Sequence, residues 1–541
     1  MSKDKLHSYH VFLFPFAWEY TNTQPNSSFE EKTKLEDFVK KLKELKWQSE
    51  QFKPDTLLKY NEFNYFYDFA RDVLYDQGNN ANIIAHLYHS SFQKEEKEYR
   101  FEVKWESNEK FITKEYKLKI DSILLHLYST GVGVLSIHLM NRADDQGEED
   151  DILRINQYGR RIFPPFYDVP TELIGDQQQF EEKDWHNAIS RTKEKVLPCW
   201  IELENGNKNK EDFLSNHGKG FQLPKFFEHL FGDKLFTANK SQNEGLIHLS
   251  PVLDDRMFVV CWYGNDGTAT RLNPTKKQVK NLSLFNADEF WYKYVFVDGG
   301  MKTCQNDELS KTILESSTND RWAKFGTFYG VSRYSFVCLT DSLATLRKNK
   351  AAFILNHIQT IYYKLVELSL VQRACLLRFS DEVTELSSLE ETKNLTERMS
   401  SLYRQYLRFV NKIYFREITA QEQGIELYDL LQQKMMITRD VKELNGEIQE
   451  LYQYTMLEEE KKKREIEEER NTQALYLNKL ATIFLPASLI AAIFGFSTIT
   501  SDMKFCGGIA ENNFWTPLII TLIGGLAGLV YIKLKFRNNG K

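Results

Sequence analysis

The spacing of hydrophobic and polar positions divides the chain into three stretches. Up to about residue 340, short runs of β-branched and aromatic residues alternate with helix-like segments. Strands are predicted over 10–18, 99–105, 120–128, 132–140 and 257–262. Ser129-Thr130-Gly131 lies between two of them and reads as a hairpin turn. Helices are predicted over 30–45 and 65–74. This alternation predicts an α/β or α+β domain.

From about Leu343 the pattern becomes heptad-like, and no proline occurs between Pro274 and Pro486. Three helices are predicted: 343–379, 386–418, and a long one from about Ile425 to Phe496, with Gly424 as the break before it. Seventy-two residues of helix would extend about 108 Å at 1.5 Å per residue. A helix of that length needs partners along its length, so an oligomeric bundle is expected. Within it, residues 458–470 read EEEKKKREIEEER, and Glu458–Lys462, Glu459–Lys463 and Glu460–Arg464 are i,i+4 pairs in the favourable order. That run reads as a solvated, self-paired stalk, with a charged collar at a pore mouth as the alternative.

The last stretch is different again. Residues 480–501 and 514–532 carry no charge, and each is about long enough to cross a bilayer as a helix. Lys533, Lys535, Arg537 and Lys541 follow the second run, and Arg470 and Lys479 precede the first. The loop between them holds only Lys504 against Asp502 and Glu511, so the basic flanks are expected on the cytoplasmic side. The opening residues lack the layout of a signal peptide, so the N-terminal part is expected to stay in the cytoplasm. The expected organisation is a cytoplasmic sensor domain (1–340), a helical stalk (341–479) and two transmembrane helices with a short outer loop and basic tail (480–541). The location expected is the inner (cytoplasmic) membrane, multi-pass, with both termini cytoplasmic.

Composition adds exclusions. A net charge of −6 on 541 residues argues against a dedicated nucleic-acid binder. A mean hydropathy of −0.49 fits a large water-soluble part. The six cysteines are scattered with no CxxC pair, so no disulfide framework is expected. His86 and His89 could share a helix face, but two ligands do not close a zinc site, and no structural metal is expected. Gly131-Val132-Gly133 has no third glycine and is read as a turn, not a phosphate loop. No nucleophile elbow, Walker motif or HExxH is present, so the chain is not expected to be an enzyme.

Along the first apolar run, Ala474, Asn478, Ala481, Leu485, Ser488, Ala492 and Gly495 recur at steps of four and three. They form a seam that is small or polar except at Leu485, while Ile483, Phe484, Ile490 and Phe494 lie opposite. Such a seam serves close helix packing or, in a ring of helices, lines a water path with a leucine constriction. Leu480-Ala481-Thr482-Ile483-Phe484-Leu485-Pro486, followed by Ile493-Phe494-Gly495, resembles the first-span pattern of the CorA family of divalent-cation channels. The resemblance implies a homopentamer with pore-lining roles for Asn471, Leu477, Leu485, Ser488 and Ala492, close to the register of the seam that contains Asn478. The family's Gly-Met-Asn signature reads Gly495-Phe496-Ser497 here, which replaces a carboxamide by a hydroxyl and weakens the case for selective passage of hydrated Mg²⁺. The enlarged N-terminal part and altered signature are similar to the CorA-like membrane effectors of type III CRISPR systems. That likeness implies a nucleotide second messenger as ligand, possible candidates including an S-adenosylmethionine–AMP conjugate.

Two segments suit such a ligand. Arg160 and Arg161 stand between Gly159 and the Pro164-Pro165 pair, and guanidinium forks match phosphate oxygens. Asp254, Asp255 and Arg256 precede a predicted strand, where carboxylates can accept from a ribose hydroxyl, an adenine amino group or an ammonium. Structural readings compete: a surface arginine pair and a strand-capping turn. Tyr158, Phe163, Trp262 and Tyr263 are neighbours able to stack on a base. The leading expectation is a messenger-opened ion channel in antiviral defence, with no resident cofactor and Mg²⁺ or another divalent cation as permeant ion. Its partners would be its own copies, the lipid bilayer and the small nucleotide, without direct nucleic-acid binding. The alternatives are a constitutive, metal-regulated divalent-cation transporter and a membrane-anchored sensor with a non-conducting pore.

Overall fold

The computed structural model describes residues 5–20, 28–29, 33–75, 83–94, 96–107, 110–162, 197–204, 225–232, 236–237, 247–253, 256–273, 284–300, 302–388 and 395–499, together with 522, 523, 526 and 530. The chain divides into two compact units, Met1–Tyr452 and Gln453–Lys541.

The first unit is built on a sheet. Its opening strands are β1 (Ser8–Glu19), β2 (Trp47–Ser49), β3 (Ile84–His89), β4 (Glu98–Ser107), β5 (Lys110–Tyr128), β6 (Val132–Asn141) and β7 (Leu197–Glu202). Then follow β8 (Phe236–Thr237), β9 (Ile247–Pro251), β10 (Phe258–Gly264), β11 (Thr318–Asn319), β12 (Phe328–Val331) and β13 (Ser335–Thr340). The main path runs β11-β12-β13-β10-β1-β6-β5-β3-β2. Only the pairings β10–β13 and β8–β9 are parallel among the described strands, so the sheet is mixed and mainly antiparallel.

Central β1 shows why its sequence is apolar at nearly every position. Tyr9, Val11 and Leu13 enter the core on one face, and Phe12, Phe14, Phe16 and Trp18 enter the core on the other. Each such side chain contributes roughly 1.5–3 kcal/mol when fully buried. Pro15 is tolerated because the neighbour on one side changes there, from β10 through Leu13 to β9 from Phe16. The predicted hairpin turn forms between β5 and β6. Gly131 adopts φ 72°, and a Cβ there would lie 2.9 Å from Thr33 Cγ2.

Helices cover both faces. Those used below are α1 (Asp68–Leu74), α2 (Glu149–Tyr158), α3 (Ile361–Ser387), α4 (Leu395–Lys412), α5 (Glu422–Lys434) and α6 (Ile437–Ile499). The core on the Val11 face continues through α3, α4, α5 and the base of α6 as far as Ile448. Buried polar groups tie these helices together. Gln372 of α3 donates to the Ile413 carbonyl at 2.9 Å and accepts from Gln432 of α5 at 2.6 Å. Arg398 of α4 donates to Glu382 at 3.1 Å and Glu385 at 2.8 Å on α3.

Several helix boundaries differ from the pattern-based expectation. The helix predicted over 65–74 starts only at Asp68, as α1, because Tyr67 is extended and donates its N–H to the Ile418 carbonyl at 2.9 Å; the sequence pattern does not predict the preceding helix, Leu57–Asn64. The helix predicted over 343–379 is divided into Leu343–Lys348, Phe353–Gln359 and α3, with Lys350 left-handed at φ 57° between the first two. The long helix begins at Ile437, not Ile425. Met436 breaks it with φ 58°, whereas Gly424 lies inside α5, where a Cβ would meet Tyr65 Oη at 2.5 Å. His86 and His89 lie on a strand, not a helix, so their odd spacing sends them to opposite faces.

Helix α6 is continuous for 63 residues, about 94 Å at 1.5 Å per residue, and passes through Pro486. Among the described residues no helix is long and apolar enough to cross a membrane. Of the run 480–501, side chains are described only up to Leu489 and not at Ala487; of the run 514–532, only Leu522, Ile523, Leu526 and Val530 are described.

Candidate functional site

Two of the segments singled out in the sequence meet in space. Helix α2 carries three acidic residues in its first turn, Glu149, Asp150 and Asp151, which suits its positive N-terminal end. It closes at Gly159, whose N–H donates to the Ile155 carbonyl at 3.0 Å and whose own carbonyl accepts from Tyr99 Oη at 2.6 Å. That clamp holds the next two residues against the start of β10. The Met257 N–H donates to the Arg160 carbonyl at 2.8 Å, and Arg161 forms an antiparallel bridge with Arg256. Arg160 is buried and Ile162 anchors the segment in the core.

The bridge places three arginines of the sequence reading in one corner. Asp254 and Asp255 lie outside the described residues, as does Phe163. The other aromatic neighbours are core residues. Trp262 and Tyr263 are fully buried, with Trp262 Nε1 donating to Thr340 Oγ1 at 2.9 Å and Tyr263 Oη donating to the Gly147 carbonyl at 3.1 Å. Tyr158 is buried too, so these rings are not a stacking surface.

The structure adds groups that the sequence did not point to. Tyr334 is fixed beside β10 by its carbonyl, which accepts from the Val259 N–H at 3.0 Å. The guanidinium groups of Arg256 and of Arg373, on α3, each lie 5.7 Å from the Tyr334 ring. Cation–ring attraction favours this arrangement, most where water is excluded. Arg373 Nη1 also donates to the Arg333 carbonyl at 3.1 Å. Burial and then the charge of Arg333 hold the Arg373 guanidinium below its ordinary pKa, while Tyr334 and Asp440 oppose that shift. Asp440 belongs to the base of α6, where it accepts from Arg439 at 2.8 Å. No periodicity marks Arg373 or Tyr334 as members of this group; only the fold brings them to Arg256.

The second predicted site is the stripe along α6. At about 100° per residue, a continuous helix places Asn471, Leu477, Asn478, Leu485, Ser488 and Ala492 within an arc of about 120°. Asn471, Leu477, Asn478, Leu485 and Ser488 are exposed in the chain, Leu485 by 65%. The Ser488 hydroxyl donates to the Leu485 carbonyl at 3.0 Å, one of the local bonds available beside a proline. The side chains of Ala492, Gly495, Phe496 and Ser497 lie outside the described residues. Two of the predicted stalk pairs form, Glu459–Lys463 at 2.6 Å and Glu460–Arg464 at 3.3 Å.

No family model matches the chain, and no curated protein matches it. Among solved structures, one match is the complete structure of the CorA magnesium transporter from Methanocaldococcus jannaschii. The two share 15% identity over 52% of this chain and 91% of that chain, with a TM-score of 0.20. A superposition that loose settles neither fold nor function.

Proposed function

We propose that the chain is a CorA-like cation channel of the inner membrane, assembled from identical copies and opened by a nucleotide messenger bound to the sheet-based unit. The observation that carries this reading is the single helix α6. Its base is packed in the core of the sheet-based unit as far as Ile448, and its outer half lines up six polar, small or leucine positions on one side. Arg161 and Arg256, joined by the bridge after α2, supply phosphate-binding forks, while Arg160 is buried. A polyanion there draws on Arg256 and on Arg373, which share the Tyr334 ring, and Arg373 stands on α3, in the same core as the base of α6. Leu485 is the constriction that opening relieves. Moving a gate from 99% closed to 99% open requires about 5.5 kcal/mol of differential ligand affinity. The type III CRISPR defence role and the S-adenosylmethionine–AMP conjugate are the specific forms of this proposal.

The test is ion flux from proteoliposomes, with Mg²⁺ and other divalent cations, against a panel of adenylate messengers that includes that conjugate. Flux that starts only with one messenger, and is lost in Arg161→Ala and Arg256→Ala while assembly persists, is the expected result. Steady Mg²⁺ flux that no messenger alters would replace this reading with a constitutive transporter.

A further inference from the structure

The antiparallel pairing of β3 and β5 sets His86 directly opposite His126, and their rings stack with centroids 4.0 Å apart. Glu50, the residue after β2, is held beside them by its N–H, which donates to the His86 carbonyl at 2.8 Å. One ligand atom each from Glu50, His86 and His126 lie within 4.8 Å of one another, with His126 Nε2 3.9 Å from Glu50 Oε2. Both histidines are buried, His126 completely.

The outer nitrogens of the two rings are already engaged. Nδ1 of His126 is hydrogen-bonded to Glu367 on α3. His86 makes a backbone hydrogen bond at Val73 in the last turn of α1, and this must use Nδ1 because its Nε2 has no partner. Nε2 of His126 has no hydrogen-bond partner either. Two buried imidazole nitrogens without a partner therefore converge on a partly exposed carboxylate. A proton on His126 Nε2 would answer Glu50 and leave His86 Nε2 unsatisfied; a cation answers all three. The cations facing Glu50 and Glu367 are Lys364, whose Nζ donates to the Leu74 carbonyl at 3.1 Å, and the His126 ring itself. An ion on Nε2 takes the place of the His126 proton, so one negative charge is then left to offset a divalent ion.

We propose that Glu50, His86 and His126 form a binding site for one divalent transition-metal ion of the zinc class, with Glu367 orienting His126 from behind. Two imidazoles and a carboxylate are a donor set such ions prefer, and a carboxylate behind a ligating histidine is its usual support. Tetrahedral ligands at 2.0–2.1 Å from zinc stand about 3.4 Å apart. The contraction falls mainly on Glu50, whose side chain is 38% exposed and which gives the ion a route from solvent. The fourth position belongs to water. This site is independent of the channel reading.

The experiment uses the full chain in detergent, freed of any affinity tag and stripped with a chelator, then titrated with Co²⁺ and Zn²⁺. Visible cobalt bands of a four-coordinate ion, displaced by one Zn²⁺ per chain, are expected. His86→Ala and Glu50→Gln should each weaken Zn²⁺ by about 100-fold or more, and Glu367→Gln by about 10–100-fold. Glu50→Gln alters a partly exposed position and keeps the test valid if His86→Ala does not fold. Absence of cobalt bands and of zinc uptake at micromolar metal overturns the proposal. So does full stoichiometry in both ligand variants, because the ion would then sit elsewhere, in a pore for example.

Discussion

Helix α3 and the outer part of α6 are both long helices, yet they bury their apolar residues to opposite degrees. In α3, Leu365, Val366, Val371 and Ala374 are fully buried, and Glu382 and Gln372 have partners inside the unit. In α6 beyond residue 453, Leu475, Tyr476, Leu477, Phe484, Leu485 and Leu489 are each more than half exposed. Leaving a large apolar side chain in water forfeits roughly 1.5–3 kcal/mol. One copy of the chain therefore accounts for the burial of the first helix, while the second leaves its apolar residues uncovered within one copy.

The most direct effect that would sharpen this contrast is at Leu485. Leu485→Ser should raise ligand-independent leak from proteoliposomes at least about tenfold, equal to ~1.4 kcal/mol off the barrier. An unchanged leak would remove this stripe from the pore. Next comes a paired arginine experiment read by chemical denaturation, with tryptophan fluorescence as the probe. Arg398→Ala removes the guanidinium hydrogen-bonded to the buried Glu382, leaving Arg378 at 3.8 Å, and should destabilise the first unit by about 3 kcal/mol. Arg464→Ala, in the exposed Glu460–Arg464 pair, should leave the midpoint unmoved. Equal effects at the two sites would break the contrast.

Acid should act on the first unit through His10. Its Nε2 is bonded to Ser8 Oγ at 2.7 Å and its Nδ1 to Asn156 Oδ1 at 2.8 Å, and burial lowers its pKa from 6.5 to about 4. Between those values the unfolded chain binds a proton that the folded chain refuses. Stability should therefore fall as pH drops from about 6.5 towards 4, by up to ~1.4 kcal/mol per pH unit from this group, and not change on its account above 6.5. His10→Gln should lessen that slope by this group's share, since His89 and His138, also lowered to about 4, add to it; an unaltered slope would exclude His10 as a source. The smallest expected effect lies where the two helix types meet. Met436 is left-handed at φ 58° with an exposed side chain, so Met436→Gly should raise the unfolding free energy by about 1 kcal/mol. A loss of stability would mean that the methionine side chain contributes more than its backbone costs.

Much of the sheet was legible because its signals are local. β-branched and aromatic runs marked β1, β6 and β10, and Ser129-Thr130-Gly131 announced its turn through a glycine that the conformation requires. Helix breaks were less legible. Gly424 looked like a break and is a contact point for Tyr65, whereas Met436 and Lys350 break helices with residues whose propensity does not show it. The arginine corner was half legible: Arg160, Arg161 and Arg256 were visible as unusual residues, but Arg373 and Tyr334 were not.

Local composition and periodicity determined, from the sequence alone, a mixed α/β domain, a long terminal helix and one side of that helix marked by small and polar residues. Tertiary structure alone decided which distant residues meet. Arg161 faces Arg256 because a bridge joins the end of α2 to the start of β10, and His86 faces His126 because β3 pairs with β5 in that register. Pairing register depends on which apolar faces can be buried together, a property of the whole sheet that no short window of sequence contains.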